Sequence, residues 1–167
     1  PVVITIYGLD ITCGNRAYQF VIPRCVKRLD KVICISDATR EACLERDIPD
    51  GKMTVIPDGI SDEFYMNDDK QDLRAKLSKQ LTIDLSNKKI LLSVGRLVER
   101  KGIHWFVENV MPLLIEKHKS CIYLIAGDGN FSPQIQKAIG RNDLKDCVFM
   151  LGRVDDETLK SLYKASD

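Results

Sequence analysis

The sequence predicts an α/β protein built from two incomplete parallel-sheet units. Three observations lead there. Apolar runs and amphipathic segments alternate almost throughout the 167 residues. Most of the apolar runs are unbroken, which is how strands covered on both faces read, and such strands belong to parallel sheets. The rhythm breaks once, between Pro57 and Lys88, where Pro57-Asp58-Gly59 is followed by the polar stretch from Asn67 to Asp72. The organisation that follows is one unit over residues 1–60, a crossover over 61–88 and a second unit over 89–167. With so few strands apiece, each sheet is expected to carry an exposed edge.

The elements can be justified in order. Val2–Ile6 is a strand, and Tyr18–Leu29 a helix. Val32–Ile35 is the second strand, leading into a helix over Asp37–Arg46 that Ser36 or Asp37 can cap by accepting its free N–H groups. Met53–Ile56 is the third strand. After the break, Asp72–Gln80 reads as a helix and Ile90–Val94 as a strand. Ile103–Lys117 is one helix whose apolar stripe is Ile103, Phe106, Val107, Val110, Leu113 and Leu114. Pro112 lies inside it and kinks it, because it cannot donate to the carbonyl four residues back. Cys121–Ala126, a helix over Pro133–Gly140 and Cys147–Leu151 follow. The last helix, Asp155–Ala165, is capped by Asp155, with Asp156 and Glu157 favourable in its first turn.

Bulk composition narrows the function. A hydrophobic fraction of 44% and a charged fraction of 29% are those of a globular protein. The net charge of +1 lacks the basic excess of a nucleic-acid surface. No apolar run approaches the roughly 20 residues of a membrane span, and no signal peptide is visible. The chain begins at Pro1 without an initiator Met, which reads as a piece of something longer. The six cysteines, at 13, 25, 34, 43, 121 and 147, form no C-x-x-C pair. Cys34, Cys121 and Cys147 sit in or beside apolar runs, as small hydrophobes do, so reduced structural thiols in a cytoplasmic protein are expected. His104 and His118 lie far from any cysteine pair and read as exposed helix residues, so no metal is expected.

The densest chemical signal is Lys89–Gly102. A strand runs into Gly95-Arg96, and a short loop supplies Lys101-Gly102 before a helix. In open α/β sheets ligands bind at that rim, and helix N-termini favour anions there. Arg96 offers a fixed fork of donors that matches phosphate oxygens, and Lys101 a mobile point charge. Gly95 and Gly102 let a ligand approach the backbone. The alternative is a pair of solvated charges neutralised by Glu99. Gly127-Asp128-Gly129 follows the next strand, and Gly152-Arg153-Val154 the one after. GDGNFS is not a dinucleotide fingerprint, since Ser132 stands where the third glycine belongs. All three glycine-bearing ends fall on one rim. A nucleotide can lie across them, phosphates at Arg96 and Lys101 and base near Val154. No Walker sequence and no serine or cysteine triad is present.

At this point the pattern resembles a family. The blocks SVGRLVERKGIHWFVENVMPLL, YLIAGDGN and VFMLGRVDDETLKSLYKASD, in this order, are similar to those of the retaining glycosyltransferases of family 4, which have the GT-B fold. Upstream, ITIYGLD, VICISDATREACLE and KMTVIPDGISDEF resemble the end of that family's acceptor domain and the start of its donor domain. The resemblance implies two Rossmann-like domains and a nucleoside diphosphate sugar as donor. It also implies transfer with retention and no metal or other cofactor. The catalytic roles, neutralising the leaving diphosphate, fall to Arg96 and Lys101. The nucleotide-sugar contacts fall to Gly95, Arg96, Lys101, Gly102, Gly127, Gly129, Gly152, Arg153 and Val154. The implied partners are the donor, an acceptor of unknown class such as a lipid or polysaccharide, and the rest of the parent chain. The implied location is cytoplasmic, where many relatives work at the membrane face.

Two positions depart from the family pattern. Tyr7 stands where a histidine is usual, and Asp58 where an asparagine is usual, a swap that keeps the turn. The family's acidic E-x7-E motif and its early glycine-rich loop lie outside this sequence, so the 167-residue chain is expected to be catalytically silent by itself. The competing expectations are a GT-B-like nucleotide-sugar epimerase and a non-catalytic phosphate-binding or interaction module.

Overall fold

A computed structural model describes residues 1–59 and 69–167. The chain divides into two compact units, Pro1–Ser61 and Asp62–Asp167. The first contains β1 (Val3–Ile6), α1 (Gly8–Thr12), α2 (Arg16–Lys27), β2 (Lys31–Cys34), α3 (Asp37–Leu44), a 3-10 turn at Asp50–Lys52 and β3 (Met53–Val55). Its strands are parallel in the order β1-β2-β3, with Ile4 beside Val32 and Val32 beside Met53. Ile6, Ile11, Val26, Val32, Cys34, Cys43 and Ile48 form its core.

Local chemistry explains where this unit differs from expectation. The short α1 was not read from sequence. Asp10 holds it: its carboxylate accepts from the Tyr7 amide at 2.9 Å, and its own amide donates to the Tyr7 carbonyl at 2.9 Å. The α2 helix starts two residues earlier than expected, because Asn15 accepts the Tyr18 amide at 3.1 Å. At α3 the cap is Ser36, which accepts from Thr39. The first apolar run is not covered on both faces. Val2 and Val3 are 60% and 51% exposed, since β1 is bonded only to β2 and just its Ile4 and Ile6 reach the core. Burial pushes the Cys43 thiol up to about 12, with the neighbouring Cys34 adding to the effect, so this pair packs as hydrophobes.

The second unit contains α4 (Lys70–Leu81), β4 (Lys89–Val94), a 3-10 turn at Glu99–Lys101, α5 (Ile103–Asn109), α6 (Met111–Lys117), β5 (Cys121–Ala126), α7 (Ser132–Arg141), β6 (Val148–Gly152) and α8 (Asp156–Ala165). Its strands are parallel in the order β4-β5-β6. All six residues of the central β5 are buried, as an unbroken apolar run requires. Its side chains alternate between two layers. Tyr123 and Ile125 join the core under α5, α6 and α7, while Ile122, Leu124 and Ala126 join the core under α4 and α8. Each fully buried aliphatic side chain of this kind contributes roughly 1.5–3 kcal/mol. The α4 helix lies within the stretch read as a crossover, yet it packs on α8 as part of this unit. Residues 60–68 of that stretch lie outside the described residues.

Two further boundaries shift. The helix expected over Ile103–Lys117 is divided at Val110, because Pro112 falls in the first turn of α6. The division rotates the stripe: Met111 is fully buried, whereas Leu113 is 60% exposed. The β6 strand begins at Val148, since the Cys147 amide turns back to the Leu144 carbonyl at 3.1 Å.

Asp167 ties the second unit together. Its carboxylate accepts from the Ile90 amide at 2.9 Å, Lys70 at 3.0 Å and Arg74 at 2.7 Å. Arg74, whose side chain is 16% exposed, also donates to the Ala165 and Lys88 carbonyls. Burial alone would raise this carboxyl's pKa. The Ile90 amide, Lys70 and Arg74 outweigh burial and hold it well below the usual carboxylate range. A lowered folded value stabilises the protein above the unfolded value of about 3.9, and that contribution is lost as pH falls toward the folded value. Asp167→Asn is therefore expected to cost about 1–3 kcal/mol at neutral pH. Thermal melts should also show a shallower loss of stability below about pH 4 in the variant than in the wild type.

Candidate functional site

Because β4, β5 and β6 are parallel, their carboxyl ends share one rim, with Val94 beside Ala126 and Ala126 beside Gly152. The ladder continues past the strands. Gly95 donates to the Ala126 carbonyl at 3.0 Å, Gly127 to the Gly152 carbonyl at 2.7 Å and Leu97 to the Asp128 carbonyl at 3.0 Å, while Phe131 donates to the Leu97 carbonyl at 2.9 Å. The two loops run so close that side chains are excluded. A Cβ on Gly127 would lie 2.0 Å from the Gly95 carbonyl oxygen, and one on Gly129 would lie 2.3 Å from that of Leu97. Gly95 and Gly127 also adopt φ of 141° and 137°, where L side chains are strained.

The result is an open cleft of about 380 Å³ lined by Gly95, Arg96, Gly127, Asp128, Gly129 and Arg153. Arg96 and Arg153 are exposed, and neither forms an ion pair with any described residue. The alternative of charges neutralised by Glu99 is therefore not what the structure shows among those residues. The Asp128 carboxylate is turned into its own loop, where it accepts from the Gly129 amide at 2.7 Å and from the Ser132 hydroxyl at 3.1 Å. Ser132 also bonds the Gly129 carbonyl at 2.7 Å. The residue read as a missing glycine is thus what closes the turn.

The remaining expected site residues lie elsewhere. Lys101 and Gly102 line a second recess of about 340 Å³ with Ser93, Trp105 and Tyr123. The 3-10 turn ending at Lys101 and the φ of 68° at Gly102 carry the chain there. Gly152 contributes its carbonyl to the ladder, and Val154 packs against the core under α8. His104 is half-buried: it lies 3.4 Å from Glu108 and packs edge-on against Phe131.

The first unit has a rim of its own. There β1 runs into Tyr7, β2 into Ser36 and β3 toward Asp58. The Tyr7 hydroxyl donates to the Asp58 carboxylate at 3.3 Å. The two departures from the family pattern are thus partners, a contact no sequence pattern announced.

Set beside known proteins, the second unit is decisive. The family profile for glycosyl transferases group 1 matches residues 74–167. The chain belongs to that family. It is 32% identical over 142 residues to an uncharacterized glycosyltransferase of Methanocaldococcus jannaschii, a match that covers 82% of this chain and 35% of that protein. It is 28% identical to the alpha-D-kanosaminyltransferase of Streptomyces kanamyceticus, over 85% of this chain and 36% of that one. The chain thus spans about a third of the curated relatives it matches. Among solved structures, Anabaena HepE in complex with UDP-glucose aligns over 100% of this chain and 45% of its own, with a TM-score of 0.82 and 21% identity. WaaG, a glycosyltransferase involved in lipopolysaccharide biosynthesis, aligns over 97% of this chain and 44% of its own, with a TM-score of 0.73 and 15% identity. The two parallel-sheet units are those of the GT-B fold.

In this glycosyl transferases group 1 chain, two outcomes test the geometry. Gly127→Ala should lose at least about 1–3 kcal/mol in urea unfolding, since it combines a backbone clash with a strained φ. Gly140→Ala, which faces open space within α7, should gain about 0.5–1 kcal/mol. Separately, the Asp58 charge and hydrogen bond push the Tyr7 phenol above its ordinary value of 10.0. NMR titration of the Tyr7 ring should show ionisation beginning at higher pH than for a free tyrosine. Asp58→Asn should bring it back down.

Proposed function

We propose that the parent protein transfers a sugar from a nucleoside diphosphate sugar to an acceptor hydroxyl, with retention and without a metal. The observation that carries this reading is the glycine-lined cleft flanked by two arginines without carboxylate partners among the described residues. The diphosphate lies against the Gly95, Gly127 and Gly129 backbone, where no Cβ intervenes. Arg96 and Arg153 each present a planar fork to its oxygens. As the bond from the anomeric carbon to the diphosphate breaks, negative charge grows on the leaving oxygen. Preorganised cations stabilise that charge more than they stabilise the ground state. Lys101, from its separate recess, adds long-range charge and not direct contact in this arrangement. The base and sugar contacts expected near Val154 and Gly152 belong to the same reading.

UDP is the natural probe, since the HepE structures are complexes with UDP, UDP and glucose, or UDP-glucose. The family and the named relatives are transferases, so the epimerase alternative is set aside. The 167-residue chain by itself is proposed to bind donor without turning it over. Calorimetric titration with UDP should show Arg96→Ala and Arg153→Ala each weakening affinity about tenfold, the loss of one charge-assisted contact of about 1.5 kcal/mol. Lys101→Ala should weaken it less. Unchanged affinity in Arg96→Ala would remove the diphosphate assignment. Sugar release from UDP-glucose by the chain alone would remove the claim that it is silent.

A further inference from the structure

The α2 helix is held to its unit by one side only. Pro23 and Val26 are its buried residues, and Gln19 ties it down through the Ile11 and Cys13 carbonyls and the Arg46 guanidinium. Positions three and four apart share a helix face, so the opposite side gathers Arg16, Phe20, Val21, Arg24 and the C-cap Arg28. All five are exposed. Phe20, at 63%, is the most exposed large hydrophobic side chain among the described residues, and Val21 beside it is 50% exposed.

The charge of this helix is as one-sided as its burial. From Arg16 to Arg28 the sequence holds four cations and no carboxylate, against a net charge of +1 for the whole chain. Lys27, at the margin of the face, meets Asp47 at 3.5 Å. Arg16, Arg24 and Arg28 have no carboxylate partner among the described residues. Arg24 instead lies over the Phe20 ring, 3.7 Å from its centre, and donates to the Phe20 carbonyl. A guanidinium so placed keeps its charge while its flat side covers part of an apolar ring.

Two demands meet here. Arginines without carboxylates suit phosphate oxygens, which match the guanidinium fork. An exposed ring next to a valine gains by leaving water. A nucleic acid backbone answers the first demand and gives Val21 nothing. The interface of an anionic bilayer answers both, with charged headgroups for the arginines and acyl chains beneath them for the ring and the valine. At 1.5 Å per residue, α2 is about 18 Å long and can lie along such a surface. No described helix is long and apolar enough to cross a membrane.

We propose that the outward face of α2 is a docking surface for anionic lipid. Phe20 and Val21 enter the acyl boundary, and Arg16, Arg24 and Arg28 hold the lipid phosphates around them. The contact uses no residue of the donor cleft, so it stands or falls apart from the sugar-transfer reading.

The test is co-sedimentation of the whole 167-residue chain with vesicles of phosphatidylcholine alone, and of phosphatidylcholine and phosphatidylglycerol in equal parts. The chain should pellet with the mixed vesicles and not with the neutral ones, and added salt should release it. Arg24→Gln with Arg28→Gln should weaken binding at least about tenfold. Lys137→Gln with Arg141→Gln, the same charge change at exposed positions of α7, should leave it in place. Trp105 is the chain's one tryptophan, so Phe20→Trp in a Trp105→Phe background puts the sole indole on the proposed face. Its emission should shift to the blue on mixed vesicles and be quenched by brominated acyl chains. The proposal is overturned if the mixed vesicles leave the chain in the supernatant, or if the α2 pair weakens binding no more than the α7 pair. It is equally overturned if the indole emission is unmoved in the pellet. Duplex DNA that binds as tightly as mixed vesicles of equal phosphate concentration would make the face a site for any polyanion, and would overturn it too.

Discussion

The cleft of the second unit depends on one steric constraint, the approach of the β5 loop to the β4 loop at distances no side chain permits. The Gly127 position would place a Cβ 2.0 Å from a backbone oxygen, and the Gly129 position 2.3 Å from another. With both positions bare, the Leu97 amide donates to the Asp128 carbonyl and the Leu97 carbonyl accepts from the Phe131 amide across the loops. That lacing fixes the backbone of residues 95–97 and 127–131 as one surface. Arg96 and Arg153 flank that laced backbone at the cleft. For the proposed diphosphate reading, the consequence is that the backbone of the cleft is ordered during folding and not at binding.

The two rims differ in charge for an equally local reason. In the second unit, glycines at the strand ends are followed by arginines at 96 and 153, while the one carboxylate between them, Asp128, is bound within its own turn. In the first unit the strand ends are followed by aspartates, and the aromatic at position 7 takes the place of any cation. Each sheet reuses the same parallel-strand logic, and the residues just past the strand ends set its local charge.

Much of this architecture was legible in the sequence. All six strands were read within two residues of their ends, because parallel strands covered on both faces leave an unmistakable apolar run; Cys121–Ala126 is buried at every position. The first run was misjudged as doubly covered, since periodicity does not reveal that, among the described residues, β1 pairs only with β2. Pro112 announced a kink, but it did not announce that the break would exchange Leu113 for Met111 in the core. Gly95, Arg96, Gly127, Gly129 and Arg153 line one cleft. Lys101 and Gly102 line a separate recess, and the 3-10 turn Glu99–Lys101 lies between Arg96 and Gly102. The Tyr7–Asp58 contact links positions 51 residues apart. Nothing in a single sequence records such a pairing.

Arg74 has a consequence for how the second unit is made. Its guanidinium bonds Lys88, 14 residues away, and Ala165, 91 residues away, so it joins α4 to α8. A nascent chain that has emerged only as far as β6 holds α4 without its main polar anchor. The helix has little apolar surface of its own, Leu77 being its one buried residue. Until α8 is made, α4 lacks the Ala165 and Asp167 partners of Arg74. One guanidinium thus staples stretches of backbone that the chain supplies far apart in sequence.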